Sequence, residues 1–217
     1  MVHSNELTWR DLTDNAYLAG MARRYRMDRM STLDLFRLFY RLYLHAPSPL
    51  ISPTIDAILD DMTVGNGTVV RVGVQMRTGG DNWPDDGRLP KHAAVEFSRQ
   101  VLHHCRAIQC AVFVSSDSES ATQLFIEHLQ EYNQHIRVVM SPGVPVHLES
   151  MRQDQTKVHL KSFIDWSVLC RMDYLVISRS GFGETAAWSH AIPTRQVLAV
   201  DRVIDYDSVF GHNDLTP

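Results

Sequence analysis

The sequence lacks the marks of a disulfide scaffold, a cysteine zinc site and a membrane protein. It has three cysteines, Cys105, Cys110 and Cys170. The number is odd and no CxxC pair occurs, so neither a disulfide framework nor a zinc centre is expected. We interpret all three as buried, reduced thiols. Since no run of about 18 apolar residues exists, no membrane span is predicted.

Several other functional classes are also disfavoured. The formal net charge of −4 disfavours nucleic-acid binding through a broad basic field. The 11 histidines include no HExxH spacing, and no GxSxG nucleophile turn is present, so neither a metal site nor a serine hydrolase is expected. The polar N-terminus, MVHSNELTWRD, does not resemble a signal peptide. We therefore expect a cytoplasmic protein or a soluble fragment of a larger one.

Residues 1–66 are predicted to be an N-terminal helical segment. Apolar residues recur at spacings of three and four from about Glu6 to Tyr43, and Ser31 or Thr32 can cap the second helix there. The prolines of APSPLISP interrupt this pattern. A short helix is then predicted from Thr54 to Met62.

Residues 67–217 are predicted to form a Rossmann-like α/β domain. Five apolar strands alternate with helices, at 69–76, 110–116, 135–141, 173–178 and 194–200. This alternation is typical of a parallel sheet with helices on both faces. Ligands bind at the carboxyl ends of such strands. The candidate sites are therefore the strand ends QMRTGG, SSDSES, PGVPVHLE and SRSGFGE.

Two of these strand ends can bind an anion. Arg77 ends the first strand, where it can pair with a diphosphate or carboxylate. The alternative is a salt bridge to an aspartate of the following loop, Asp81, Asp85 or Asp86. SRSGFGE lies between a strand and a helix, so its glycines, its N–H groups and Ser180 can cradle a phosphate. An ordinary tight turn is the alternative, because the segment is neither GxGxxG nor a Walker loop.

Two aspartates have both structural and ligand interpretations. Asp165 lies in a predicted helix at 157–172, beside a core-facing stripe of Phe163, Trp166, Leu169 and Cys170. It either accepts hydrogen bonds from a guanine edge or is a helix-face carboxylate paired with Lys161. Asp117 follows the second strand, and we favour it as the N-cap of the next helix over a ligand contact.

Three segments together resemble the donor-site motifs of the fucosyltransferase superfamily. They are VGVQMRTGG, VFVSSDSES and DWSVLCRMDYLVISRSGFGETAA, in that order. The superfamily includes α1,6-fucosyltransferases, protein O-fucosyltransferases, NodZ-type enzymes and plant xyloglucan fucosyltransferases. FRLFYRLYLHAPSP also resembles the helix that precedes the first motif in the plant enzymes. The similarity covers roughly residues 33 to 200.

The resemblance implies one half of a GT-B glycosyltransferase, the half that binds GDP-fucose without a metal or other cofactor. By motif position, Arg77 would grip the pyrophosphate and Asp165 would read guanine. Asp117 matches the acidic position of the second motif. The remaining implied donor-site residues are Gln75, where many members have histidine, and Ser180, Gly181 and Phe182 of the phosphate-holding turn.

The implied reaction is inverting transfer of fucose to a glycan or protein hydroxyl, with Asp85 nearest to the family's proposed base. A full GT-B enzyme has two such halves. We therefore expect the acceptor-binding half to be missing, to be abbreviated to the N-terminal helices, or to be supplied by a partner chain or by another part of a longer protein. Three alternatives stay open. The first is a glycosyltransferase that uses another nucleotide sugar, and the second is a non-catalytic module that binds a nucleotide sugar or glycan. The third is a Rossmann-like domain for another phosphorylated ligand such as a dinucleotide, which the absence of GxGxxG after the first strand disfavours.

Overall fold

The apolar strands form one six-stranded sheet. The computed structural model describes residues 29–63, 68–79, 89–143, 155–199 and 202–205, together with residues 20, 23, 24 and 26. The strands are β1 Val70–Met76, β2 Cys110–Ser116, β3 Arg137–Val139, β4 Tyr174–Ser178, β5 Thr194–Ala199 and β6 Arg202–Asp205. Their spatial order is β3-β2-β1-β4-β5-β6, which is the order of a doubly wound Rossmann sheet.

The last strand was not predicted. β1 to β5 are parallel, as expected, but β6 pairs antiparallel with β5. The run TRQVLAVDRVID therefore contains two strands, with an irregularity in register between Val197 and Ala199. β6 is short and carries a charged residue at each end. Edge strands commonly have this composition, which blunts pairing with other chains.

Helices connect the strands as predicted. They are α1 Thr32–Phe39, α2 Ser52–Met62, α3 Ala94–His104, α4 Glu119–Tyr132, α5 Gln155–Leu169 and α6 Gly181–His190. α1 continues as a π-helix at Tyr40–Leu44. Ser31 caps α1, since its hydroxyl accepts a hydrogen bond from the Asp34 N–H at 3.1 Å. None of the helices in the described ranges is both long and apolar enough to cross a membrane.

The helices cover both faces of the sheet, so the predicted architecture is confirmed. On one face, Phe97 of α3 and Phe125 of α4 pack against the strands. On the other face, Leu169 of α5 and Ala186 of α6 join Ile55 of the N-terminal helices in a second core. Residues 31–63 therefore pack directly on the sheet, beside the helices that follow β3 and β4.

The prediction of three reduced thiols was wrong for two of them. Cys105 and Cys110 form a disulfide with their Cα atoms 5.8 Å apart, within the usual range for such bonds. Cys105 caps the end of α3, and a 3₁₀ turn at Cys105–Ala107 returns the chain to Cys110 at the start of β2. Cys170 is a buried free thiol, as predicted.

The disulfide predicts that the unreduced protein has one free thiol, that of Cys170. Unfolded protein that has not been reduced should take up an alkylating reagent at Cys170 alone. After reduction, mass spectrometry should find all three cysteines alkylated. The Cys170→Ala variant, as a control, should take up no reagent before reduction. Labelling of Cys105 and Cys110 in the unreduced protein would show that the bond is absent.

Candidate functional site

A polar cleft opens at the carboxyl edge of the sheet. The described residues that line this strand-end cleft are Gln75, Met76, Arg77, Ser115, Ser116, Asp117, Lys161, Ser162, Asp165 and Phe182. Its volume is about 60 Å³, far below the roughly 300–1,000 Å³ of pockets that enclose a drug-sized ligand. A nucleotide bound here would therefore extend beyond the cleft.

Five of the residues predicted for the site line this cleft together: Gln75, Arg77, Asp117, Asp165 and Phe182. Ser180 and Gly181 lie beside it, at the N-terminus of α6, and are not among the lining residues that the structure describes. Asp85, the predicted base, lies outside the described residues, as do Asp81 and Asp86.

The end of β1 is fixed by a hydroxyl from β4. Ser178 donates to the buried Gln75 amide oxygen at 3.1 Å and accepts from the Arg77 N–H at 2.9 Å. Gly183 of α6 packs on the same amide, because a Cβ added at this glycine would lie 2.8 Å from Gln75 Oε1. Only glycine lets the first turn of α6 approach β1 this closely. The N-terminus of α6 is thereby held close to the end of β1.

Asp117 organises the loop after β1 and is not a helix cap. Its carboxylate accepts from the Thr78 N–H at 2.9 Å and from the Gly79 N–H at 3.1 Å. Gly79 has a φ of 90°, which glycine adopts without strain. The N-cap of α4 is instead Ser118, whose hydroxyl accepts from the Ala121 N–H at 3.1 Å. The N-cap prediction was therefore wrong by one residue.

Arg77 forms an ion pair inside the cleft. Its Nε atom lies 3.8 Å from Asp117 Oδ2, and 28% of its side chain is exposed. This partner comes from the end of β2, and the aspartates of the loop that follows Arg77, which were the predicted alternative, lie outside the described residues. A guanidinium carries five N–H donors in a planar fork, so the ion pair is compatible with a second, anionic partner.

Ser180 is the N-cap of α6. Its backbone is extended, with φ −163° and ψ 133°, and its hydroxyl accepts from the Phe182 N–H at 3.2 Å. The hydroxyl proton can still be donated to a ligand. A helix N-terminus attracts anions through its unpaired N–H groups and its dipole. The segment SRSGFGE is therefore a capped turn whose geometry also suits a phosphate.

Asp165 is the centre of a buried polar network. Its carboxylate accepts from Ser115 at 2.9 Å, from Lys161 Nζ at 3.1 Å and 3.3 Å, and from Ser141. The pairing with Lys161, one of the two interpretations of Asp165, is present in the structure, and the guanine contact stays a prediction. Burial raises the pKa of the Asp165 carboxyl, and the ammonium group of Lys161 and the two hydroxyls oppose this rise.

Sequence reasoning did not single out Ser115, Ser141 or Lys161 as site residues. Ser115 lies within the strand end SSDSES, which was a candidate site, so its position was a usable signal. Ser141 follows β3, and Lys161 is four residues before Asp165 on α5. Only the fold shows that β2, β3 and α5 bring these three residues onto one carboxylate.

An apolar groove of about 550 Å³ adjoins the cleft and shares Ser162 and Phe182 with it. It lies between α5 and the segment 43–51. Phe163 was predicted to face the core but is 58% exposed and lines this groove. Leu169 and Cys170 of the predicted stripe lie in the core and Trp166 packs against it, so the prediction was wrong for Phe163 alone. Ile164 and Val168 are further core positions of α5.

A second cavity, of about 400 Å³, lies at the opposite edge of the sheet. It adjoins Tyr174 and Thr194, where β4 and β5 begin, and His104 stacks on Tyr174 with the rings 3.7 Å apart. Burial, with Arg195 and His103 nearby, lowers the pKa of His104. Because ligands in open α/β sheets bind at the carboxyl edge, the strand-end cleft is the stronger candidate site.

Within the described ranges, no group of three or more His, Cys, Asp or Glu side chains is placed to hold a metal ion.

Comparison with known proteins gives similarities in structure only. No family model matches the sequence, and no curated protein matches it. One similar solved structure is a NodZ α-1,6-fucosyltransferase co-crystallised with GDP, at 14% identity and a TM-score of 0.46, covering 73% of this chain and 48% of that chain. Another NodZ fucosyltransferase structure, from Bradyrhizobium, has 16% identity and the same TM-score and coverage.

A third is a mutant of Arabidopsis thaliana FUT1 in complex with GDP, at 15% identity and a TM-score of 0.44, covering 69% of this chain and 32% of that chain. These are fucosyltransferases, the superfamily that the sequence motifs resemble. This chain spans about half the length of the NodZ structures and about a third of the FUT1 structure. At these identities and TM-scores, the similarities assign neither a family nor an activity to the chain.

The role of Asp117 predicts a stability effect. Asp117→Ala removes the acceptor of two backbone N–H groups, so the free energy of unfolding in urea should fall by about 1–3 kcal/mol. Asp61→Ala is the matched control, because Asp61 forms an exposed ion pair with Arg137 and should cost less than about 1 kcal/mol. Equal effects of the two substitutions would contradict the loop-holding role.

Proposed function

We propose that the chain is the donor-binding half of a glycosyltransferase that uses a nucleoside-diphosphate sugar, with GDP-fucose as the expected donor. The resemblance of the three motifs to the fucosyltransferase superfamily is the basis for expecting GDP-fucose. The strand-end cleft is the proposed binding site for this donor. The acceptor is a glycan or protein hydroxyl. The acceptor-binding half belongs to another part of a longer chain or to a partner.

The observation that carries the proposal is the position of two anion-binding elements at the topological switch point. From β1 the chain moves outward to β2 and β3, then returns to the other side of β1 at β4. Ligands bind where the order reverses in this way. Arg77 directly follows β1, and two residues separate the end of β4 from the start of α6. A diphosphate between them would meet a guanidinium on one side and a helix N-terminus on the other.

This arrangement suits the leaving group of a sugar transfer. The acceptor oxygen forms a bond to the anomeric carbon as the bond from that carbon to the diphosphate oxygen breaks. The electron pair leaves with the diphosphate, whose growing charge Arg77 and the α6 N-terminus stabilise. The acceptor proton passes to a base, for which Asp85 is the expected residue. The exposed rings of Tyr43 and Phe163 in the adjoining groove offer apolar faces to an acceptor sugar.

The disulfide bears on where this reaction takes place. Disulfides form and persist in oxidising compartments and are rare in the cytosol. The Cys105–Cys110 bond therefore favours a compartment such as the secretory lumen over the cytoplasm expected from the sequence.

Calorimetry with GDP, GDP-fucose, UDP and NAD tests the donor site. We expect GDP and GDP-fucose to bind, and Arg77→Ala to weaken the binding roughly 10- to 100-fold by removing charge-assisted hydrogen bonds. Arg99→Ala is the control, because Arg99 lies on α3 and pairs with Glu96. If no nucleotide binds, or if Arg77→Ala binds GDP as tightly as wild type, the donor-site assignment fails.

One observation favours the non-catalytic alternative. Asp117 and Asp165 are the carboxylates among the described residues that line the cleft, and both are engaged in hydrogen bonds. Neither is placed to serve as a base. An assay of sugar release or transfer from GDP-fucose separates the two functions. Turnover that falls in Asp85→Asn supports the enzyme, whereas binding without turnover, when the chain is joined with its acceptor half, supports the module.

A further inference from the structure

The cavity at the amino edge of the sheet is a second polar site, away from the strand-end cleft. Its volume of about 400 Å³ lies within the roughly 300–1,000 Å³ that is usual for ligand pockets. The proposed sugar transfer makes no use of it. The described residues around this amino-edge cavity include three groups that are cations or can become cations, and one carboxylate: His103, His104, Arg195 and Asp205. This set of side chains favours an anionic ligand.

Arg195 has hydrogen-bond donors available for such a ligand. Its Nε atom lies 2.8 Å from Asp205 Oδ1, and its Nη1 atom donates to Gln100 Oε1 at 3.0 Å. Since a guanidinium has five N–H groups, both N–H groups of Nη2 and one of Nη1 have no partner among the described residues. The side chain is 32% exposed. Arginine commonly pairs with a carboxylate through two N–H groups, and here the guanidinium is already held in place by Asp205 and Gln100.

The imidazole of His104 also has nitrogen atoms available. Its ring stacks on Tyr174 with the centroids 3.7 Å apart and the planes 8° from parallel. Stacking covers a face of the ring and leaves both nitrogens at its edge. Neither nitrogen makes a hydrogen bond to another residue that the structure describes. When the ring is protonated, both nitrogens are donors, so His104 can contact the same anion as Arg195.

Binding of an anion at this cavity is expected to be coupled to protonation of His104. Burial, Arg195 and His103 lower the pKa of His104 below its ordinary value, so the ring is mostly neutral at pH 7. A bound anion favours the protonated ring and raises this pKa, so the affinity for the anion should rise as the pH falls. The titratable and charged groups around the ring come from α3, β1, β4, β5 and β6: His103, the Arg71–Asp173 ion pair, Tyr174, Arg195 and Asp205.

The charge of the cavity suits a carboxylate better than a phosphate. While the histidines are neutral, Arg195 and Asp205 together carry no net formal charge. The site therefore offers little to offset the nearly double charge of a phosphate at pH 7, whereas a carboxylate carries a single charge. Pro193 and the ring of Tyr174 add apolar surface for an organic group attached to the carboxylate.

We propose that the amino-edge cavity binds an organic carboxylate through the guanidinium of Arg195 and the imidazole of His104. The site is separate from the strand-end cleft, and the inference does not depend on the proposed function. It adds to the chain a second ligand site whose affinity increases in mildly acidic solution.

NMR titration of ¹⁵N-labelled protein with benzoate, benzyl alcohol and inorganic phosphate tests the inference. Benzoate should shift the amide signals of His104 and Arg195. At pH 7.0 it should bind about tenfold more tightly than phosphate or benzyl alcohol, its uncharged analogue, because charge-assisted hydrogen bonds are lost with the alcohol. The affinity for benzoate should rise about fivefold between pH 7.0 and pH 5.5, as His104 becomes protonated.

Two variants separate the contacts. Arg195→Met should weaken benzoate binding about tenfold. His104→Phe keeps a ring on Tyr174 but removes the nitrogens, so the gain in affinity at pH 5.5 should fall below about twofold. This second variant keeps the test decisive if Arg195→Met does not fold, which circular dichroism would show. Arg71→Met is the matched control, because Arg71 lies at the same edge in an ion pair with Asp173 and should leave benzoate binding unchanged.

The inference is overturned if benzoate does not shift the amide signals of His104 and Arg195, or if phosphate or benzyl alcohol binds as tightly as benzoate. It is also overturned if His104→Phe keeps the full gain at pH 5.5, or if saturating GDP displaces benzoate. GDP binding is measured separately by calorimetry. Its absence would count against the proposed function alone and would leave the carboxylate site standing.

Discussion

The arrangement of the cleft depends on the hydroxyl of Ser178. This buried group lies between the two central strands, where it donates to Gln75 and accepts from the backbone of Arg77. Buried polar groups must be paired, or they cost on the order of 1–3 kcal/mol each. The bonds of Ser178 therefore fix the last residues of β1 against β4. Arg77 is the first residue after β1, so the hydrogen bonds of Ser178 also determine its position at the topological switch point.

Among the described residues that line the cleft, the cations are Arg77 and Lys161, and each is paired with a carboxylate. Arg77 is paired with Asp117, and Lys161 is paired with Asp165. Each carboxylate reduces the net charge of the cleft, and Asp117 also orients the guanidinium donors of Arg77. Preorganised donors need no rearrangement on binding, which is the condition under which electrostatic stabilisation is strong. The same carboxylates are engaged in hydrogen bonds, so the cleft provides positioning, while the base for any transfer reaction must come from elsewhere.

The sequence was a good guide to the sheet because periodic apolar runs carry strong local information. The five parallel strands, the helices between them and the Ser31 cap all follow from patterns within short windows. β6 and the Cys105–Cys110 disulfide were missed for a shared reason. Both depend on how the chain turns back over a few residues, which the hydrophobic pattern does not encode.

The location of the candidate site in the chain could be predicted from the sequence, but most side-chain contacts within the site could not. The strand-end rule located Arg77, Asp117 and SRSGFGE, since it requires only the order of strands and loops. The partners of these residues come from distant parts of the chain. Arg77 pairs with a residue 40 positions later in the sequence, and Asp165 gathers a hydroxyl from each of two strand ends. Such contacts depend on the sheet order, which one sequence does not specify.

The central claim is that a diphosphate binds between Arg77 and the first turn of α6. A crystal structure of the chain with GDP tests it most directly. The account predicts phosphate density within hydrogen-bond distance of the Arg77 guanidinium and of the N–H groups that begin α6, at the carboxyl edge of the sheet. Phosphate density at the opposite edge, in the cavity beside His104 and Arg195, would contradict the account.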